Sequence, residues 1–379
     1  MLKRTIAFIT SLTLGICCFA GCGNKENYEK SNSKEEKPME MRDISAKELV
    51  SEMKVGWNLG NTLDATGAKG LDAETSWGNP KTREDMVKLI KDTGFNVLRV
   101  PVTWDGHMDN KYNVDKDWMA RVKEVVDYGI NNDMYVILNT HHEEWYYPDS
   151  ENKDGDIEQI KALWSQIADE FKNYDEHLLF EGLNEPRLRG TSSEWTGGTA
   201  ESQEIINEYE QAFYDTVRNS GGNNDKRHLM ITGYAASSTT ESLQAIKLPE
   251  NDNKLIVSVH AYLPYSFALD TTGTDKFDKN SDTFSIDNMF THLETLFLSK
   301  DIPVIIGEFG SINKQNEDDR IELVKYYVSK AKENGVPCIW WDNGAFVGKG
   351  ENFGLMERSE IPASWSFQNI VDTLIKTAN

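Results

Sequence analysis

Eight short runs rich in apolar and β-branched residues recur along this chain, and most are followed by stretches whose apolar residues return at helical spacing. The runs are Lys54–Leu59, Val97–Val102, Tyr135–Thr140, Leu178–Leu183, Leu229–Gly233, Ile256–His260, Val304–Glu308 and Cys338–Asp342. Near-continuous apolar runs suit strands buried on both faces, and crossover helices between parallel strands supply the outer cover. Trp118, Val122, Val125 and Val126 mark one helical face, and Ile157, Ile160, Leu163, Trp164, Ile167 and Phe171 mark another. A last helical pattern runs from Ser364 to Ile375. This alternation predicts an α/β fold, a closed (β/α)8 TIM barrel in one domain over residues 43–379. An open doubly wound sheet fits less well, because no glycine-rich phosphate loop follows the first run.

The chain ahead of that domain reads differently. Lys3 and Arg4 precede an apolar run from Thr5 to Ala20, which predicts an export signal over residues 1–21. The run is shorter than the roughly 20 residues a spanning helix needs. Its end, Phe19-Ala20-Gly21-Cys22, resembles a bacterial lipoprotein cleavage box, so Cys22 is expected to carry a lipid. Residues 22–42 are polar and charge-rich, with too little apolar surface to fold by burial, and predict a disordered tether. The protein is accordingly expected outside the cell, exported and anchored to the membrane as a lipoprotein. Cys338 lies in an apolar run and reads as a buried core residue. Against 40 Lys plus Arg stand 62 Asp plus Glu, a formal charge of -22. That charge repels nucleic acid and anionic membrane surfaces, leaving the lipid as the expected membrane contact and a neutral molecule as the better-matched substrate. Oligomeric state has no signature in the sequence.

Polar residues gather where the apolar runs end: Leu59-Gly60-Asn61, Arg99-Val100-Pro101, His141-His142-Glu143, Asn184-Glu185-Pro186, His260-Ala261-Tyr262, Glu308-Phe309-Gly310 and Trp341-Asp342. In such barrels the C-terminal strand ends build the active site. From Gly56-Trp57-Asn58-Leu59-Gly60-Asn61-Thr62-Leu63 to Trp340-Trp341-Asp342, this ordered set resembles glycoside hydrolase family 5, the cellulase family. The resemblance implies a retaining endo-β-1,4-glucanase with Glu185 as acid/base and Glu308 as nucleophile. Retention needs the two carboxyls roughly 5–5.5 Å apart. It also implies that Arg99 sits beside Glu308 and keeps it ionised, that Asn184 bonds the sugar 2-hydroxyl, and that His141 borders the cleavage subsite. His260 would join the acid/base network, and Tyr262 would bond Glu308.

Trp341 would be the sugar platform, with Trp340 turned into the packing; Asn61, His142 and Trp77 are candidate substrate contacts, and Asp64 a weaker one. Trp145 is a further stacking candidate for which packing is equally expected. His141-His142 invites a metal reading, set aside because adjacent strand residues face opposite ways and no third ligand is evident. No metal or organic cofactor is expected, since acid, base and nucleophile are all side chains. The Gly-Trp-Asn-Leu-Gly-Asn-Thr-Leu-Asp run and Asn-Glu-Pro-Arg, with Arg187, resemble the subgroup that also holds xyloglucanases and xylanases. The expected substrate is a β-glucan polysaccharide. Xyloglucan, xylan and mannan are the alternatives within the family, and transglycosylation by the same two glutamates is an alternative outcome. A non-catalytic sugar-binding lipoprotein is the reading from a different class.

Overall fold

A computed structural model describes residues 38–348 and 350–379, so the export signal, Cys22 and most of the tether lie outside the described residues. Eight parallel strands close into a barrel in sequence order: β1 (Val55–Leu59), β2 (Val97–Val100), β3 (Tyr135–Asn139), β4 (Leu178–Glu181), β5 (Leu229–Ser237), β6 (Leu255–His260), β7 (Val304–Phe309) and β8 (Cys338–Asp342). All eight fall on the apolar runs. Helices Lys116–Ile130 and Lys153–Phe171 carry the expected apolar faces. The last helix is Gln368–Ala378; Ser364–Trp365 instead pairs antiparallel with Met356–Glu357, which corrects the start expected at Ser364. Among the described residues no helix is long and apolar enough to cross a membrane.

Successive strand residues face opposite ways, so each strand divides between two environments. Leu98, Val136, Leu138, Leu178, Phe180, Val257 and Val304 face outward into one cluster with the helices. Val97, Ile137, Leu179, Met230, Ile256, Ile305 and Ile339 face inward and form a second cluster. The helix Ala46–Glu52 closes this cluster with Ala46, Leu49 and Val50. A capping box starts that helix: Glu48 N donates to Ser45 Oγ at 3.2 Å and Ser45 N to Glu48 at 2.7 Å.

Contacts with the domain already occur ahead of the boundary expected at 42/43. Met39 N donates to Asn173 O at 2.8 Å, and Arg42 pairs with Glu52 and Glu176. Glu176 is remote in sequence, 134 residues from Arg42, so composition alone places the boundary late. Cys338 is buried among apolar residues, which pushes its thiol pKa well up and leaves it unreactive.

Candidate active site

Two residues further along the same inward-facing rows, the barrel interior turns from aliphatic to polar: Asn58, Arg99, Asn139, Glu181 and Ser258 are all buried. Arg99 organises this layer. Its Nε donates to Glu181 at 2.7 Å, Nη1 to Glu308 at 2.7 Å and Asn58 at 3.0 Å, and Nη2 to Asn184 at 2.8 Å. Burial opposes the guanidinium charge, but Glu181 and Glu308 outweigh it and raise the pKa. Because Arg99 takes the carbonyl end of the Asn184 amide, the nitrogen is the end available to a sugar hydroxyl.

Glu308 is buried, and its second oxygen accepts from Tyr262 Oη at 2.8 Å. Burial and then Glu308 push the Tyr262 pKa well up, so the phenol remains a donor. Glu185 stands opposite, its side chain partly open to the cleft, with Oε1 2.9 Å from His260 Nδ1. The same nitrogen lies 3.7 Å from Glu308. A carboxyl oxygen of Glu185, a ring nitrogen of His260 and a carboxyl oxygen of Glu308 lie within 4.8 Å of one another. That puts the two carboxyls nearer the roughly 5–5.5 Å separation of retaining enzymes than the roughly 6.5–9.5 Å of inverting ones.

Burial disfavours charge on His260, yet Glu308 and the bond to Glu185 raise its pKa. Burial likewise pushes Glu185 up, and the His260 bond outweighs it and brings the pKa down. Opposite shifts across one hydrogen bond describe a single proton shared by the pair. Burial, then His142 and Arg99, hold His141 well below the imidazole range. Its Nδ1 faces the Asn139 amide at 3.1 Å, which puts the hydrogen of the neutral ring on Nε2. The Trp341 ring lies parallel to His141, 5.6 Å away, and Gly60 permits that approach: a Cβ there would meet the indole at 2.8 Å.

The family model "Cellulase (glycosyl hydrolase family 5)" matches residues 63–347. The chain belongs to glycosyl hydrolase family 5. It is 54% identical to Endoglucanase B of Ruminococcus albus over 100% of this chain and 97% of that one. A broad-specificity family 5 endoglucanase from Ruminococcus champanellensis with bound cellotriose is similar at TM-score 0.86 and 44% identity, covering 89% of this chain and 100% of that one. A xyloglucan-specific family 5 endo-β-1,4-glucanase from a metagenomic library, in complex with cellotriose, gives TM-score 0.84 and 41% identity over 87% and 98%.

In this family 5 site the structure brings together Glu185, Glu308, Arg99, Asn184, His260, Tyr262, His141 and Trp341. Asn61, at φ 56, is partly buried, and its backbone nitrogen donates to Asp64. Trp77 is 42% exposed and tilted against His142 with ring centres 5.6 Å apart. Trp340 is turned into the packing, and Trp145 donates to Glu143 at 2.6 Å as a packing residue.

Three readings are corrected. His141 and His142 lie beyond the end of β3, so strand alternation does not separate them, and their rings meet edge to face at 4.4 Å. Asp64 is the third neighbour that the sequence did not reveal, with ligand atoms of the three residues within 4.8 Å. It is fully buried and accepts from Asn61 N and Thr62 N, which makes it a loop anchor rather than a sugar contact. Not every polar residue at a strand tail serves the cleft: Asp342 accepts from Trp57, Gly344, Leu355, Met356 and Arg358 to hold the loop after β8. Glu143 accepts from Trp104 N and Trp145 Nε1, and burial pushes its pKa up to about 8.

Sequence reasoning missed Glu181, which accepts from Arg99, Asn139 at 3.1 Å and Ser258 at 2.5 Å. The signal was present: apolar Leu178, Leu179 and Phe180 lead into this carboxylate just as a strand leads toward Glu185. Glu351, in the loop after β8, was also missed. Desolvation by its surroundings, with the negative charges of Glu185 and Glu308, raises its pKa, while its surface stays exposed.

Proposed function

We propose that this family 5 hydrolase is a retaining endo-β-1,4-glucanase in which Glu185 is the acid/base and Glu308 the nucleophile. The observation that carries the reading is the Glu185–His260–Glu308 cluster, with its atoms within 4.8 Å. Arg99 and Tyr262 hold the two Glu308 oxygens, aiming a lone pair at the anomeric carbon and stabilising the carboxylate when it leaves. In the first step the Glu185 proton passes to the glycosidic oxygen, the C1–O bond breaks, and a Glu308 oxygen bonds C1. In the second, Glu185 takes a proton from water, the water oxygen bonds C1, and Glu308 is released. Asn184 donates to the 2-hydroxyl, a bond that strengthens as positive charge develops on the ring.

The substrate is a β-1,4-glucan, either cellulose or mixed-linkage glucan. Tolerance of xyloglucan is the second reading, supported by the names of the two similar solved structures. The enzyme works outside the cell on a lipid anchor at Cys22, a reading supported by the N-terminal sequence pattern. Labelling of the full chain with radioactive palmitate, lost in Cys22→Ala, checks the anchor.

Hydrolysis of a soluble β-glucan followed by proton NMR tests the mechanism. The first-formed reducing ends should be β. An α product would overturn it, whereas a preference for mannan on a polysaccharide panel would overturn only the substrate.

A further inference from the structure

We propose that the bend in β5 at Gly233, Tyr234, Ala235 and Ala236 is a positioning element that sets the hydrogen bond between Glu185 and His260. The inference rests on Glu185 being the acid/base. Leu229 to Thr232 pair in step with Leu255 to Ser258 of β6, then the ladder breaks and resumes where Ser237 meets His260. Four residues of β5 thus stand against Val259 alone. Two of them, Ala235 at φ 54 and Ala236 at φ 47, take the left-handed conformation that glycine adopts freely and alanine only at a cost. Both are buried, so no flexible surface turn absorbs that cost.

Strain of this kind persists where surrounding contacts over-determine it, and here the contacts run toward both members of the pair. On one side, Ala235 N donates at 2.9 Å to Pro186 O, the carbonyl next after that of Glu185. Tyr234 Oη accepts from Leu188 N at 2.9 Å and donates to Ser193 O at 3.0 Å, and Leu188 packs against the small cluster of Ile206, Tyr234 and Ala235. On the other side, Thr232 Oγ1 donates to Ser258 O at 3.1 Å and Ser237 pairs with His260, so the bend is fastened to β6 at both of its ends. Gly233 opens the bend in a tight place: a Cβ there would come within 2.8 Å of Ile246 and 3.0 Å of the Ser242 carbonyl.

Glu185 follows β4 and His260 ends β6, and β5 is the strand between them. Ties that fix the main chain on both sides also fix the separation of the two side chains, whose nearest atoms, Glu185 Oε1 and His260 Nδ1, stand 2.9 Å apart. Small misplacements of a reacting group cost rate steeply. The titratable groups that act on the pair come from elsewhere: Arg187 and His142 on Glu185, and Arg99 and Glu308 on His260. Gly233, Ala235 and Ala236 carry no ionisable side chain, so changing them alters the pair through its geometry.

The test compares kcat/KM on cellopentaose, whose departing sugar needs a proton, with kcat/KM on dinitrophenyl β-cellobioside, whose leaving group needs none. Ala235→Gly combined with Ala236→Gly frees the bend, and because glycine accepts a positive φ the thermal melt should stay close to wild type. On cellopentaose kcat/KM should fall roughly tenfold, against less than about twofold on the aryl substrate, and the alkaline limb on cellopentaose should move to lower pH as the proton loses its second holder. Tyr234→Phe, which cuts the ties to Leu188 and Ser193, should give the same split at smaller size, and it decides the matter if the double variant does not fold. Equal losses on both substrates, an unmoved limb, or no loss on cellopentaose would overturn the positioning role. Glu185→Ala, run alongside, should spare the release of dinitrophenol far better than it spares cellopentaose cleavage. A split for Glu185→Ala with equal losses for the bend variants sinks the positioning role alone. Equal losses for Glu185→Ala sink the acid/base assignment beneath it.

Discussion

The lower and upper halves of the barrel interior are built on the same strands, two residues apart, and obey opposite rules. Below, Val97, Ile137, Leu179, Ile256, Ile305 and Ile339 pack against the helix Ala46–Glu52, where shape and volume suffice. Above, Arg99, Asn139, Glu181, Ser258 and Trp341 continue the same rows, and each buried polar group needs a named partner. A buried ionic layer is no better for stability than a well-packed aliphatic one. Its use is electrostatic: charges fixed in place before the substrate arrives need no reorganisation as the reaction proceeds. The lower half holds the barrel shut, and the upper half holds the Glu308 carboxylate in place.

The largest expected effect strikes the top of the upper half. Glu308→Gln should cut turnover of a β-glucan on the order of 10⁴-fold or more while its thermal melt stays close to wild type. A variant that melts far lower would show that the carboxylate also supports the fold, blurring the division. Next comes conversion of the upper layer toward the lower one. In Arg99→Met with Glu181→Leu, folding stability should fall by about 1–3 kcal/mol, because Glu308, Asn58 and Asn184 stay buried without the guanidinium that satisfied them. Activity should fall on the order of 10²-fold or more, since Glu308 and Asn184 lose the group that orients them. Denaturant titration and initial rates separate the two outcomes.

Ile305→Ala probes the lower half with the reverse signature. Unfolding free energy should drop by about 2–5 kcal/mol from the cavity, with kcat within about twofold of wild type at a temperature where the variant remains folded. A matching collapse of kcat would show that the lower layer sets the geometry of the cleft.

The smallest effect concerns the shared proton. His260 is raised and Glu185 lowered, so the pair keeps one proton up to a pH above the ordinary imidazole value, and activity falls as that proton is lost. In His260→Asn the proton belongs to Glu185 alone. The alkaline limb of kcat/KM should then move to lower pH, with a loss of about tenfold at neutral pH. An unmoved limb would assign the titration to another group.

Much of this was legible beforehand. Eight apolar runs landed on eight strands because a strand buried on both faces must be apolar nearly throughout, and Glu185 and Glu308 stood out as carboxylates at the ends of such runs. Glu181 was overlooked because it lies inside the apolar run Leu178–Leu183 rather than at its end. Its role depends on Arg99 and Ser258 arriving from β2 and β6, contacts remote in sequence. The tails also misled: Asp342 sits where a site residue should, yet its oxygens are occupied by the loop that folds back over it.

The sequence by itself determined the barrel and its strands, since the period of its hydrophobic pattern is local information, and it determined which carboxylates could serve. Only the tertiary structure decided which way Glu308 points. Alternation from inward-facing Ile305 would turn Glu308 outward and Phe309 inward. Instead, β7 carries an extra residue relative to both neighbours: Ile306 and Glu308 pair with the adjacent Val259 and His260 of β6, and Ile306 and Phe309 face Cys338 and Trp340 of β8. A bulge of this kind re-aims the side chains beyond it. Gly307 sits at the bulge, where a Cβ would come within 3.2 Å of His260 and Ser258. Phe309 is thereby delivered to the outer core and Glu308 to Arg99. Strand pairing, which alone decides where a bulge falls, is set by neighbours far away in the chain, and no pattern within the strand reveals it.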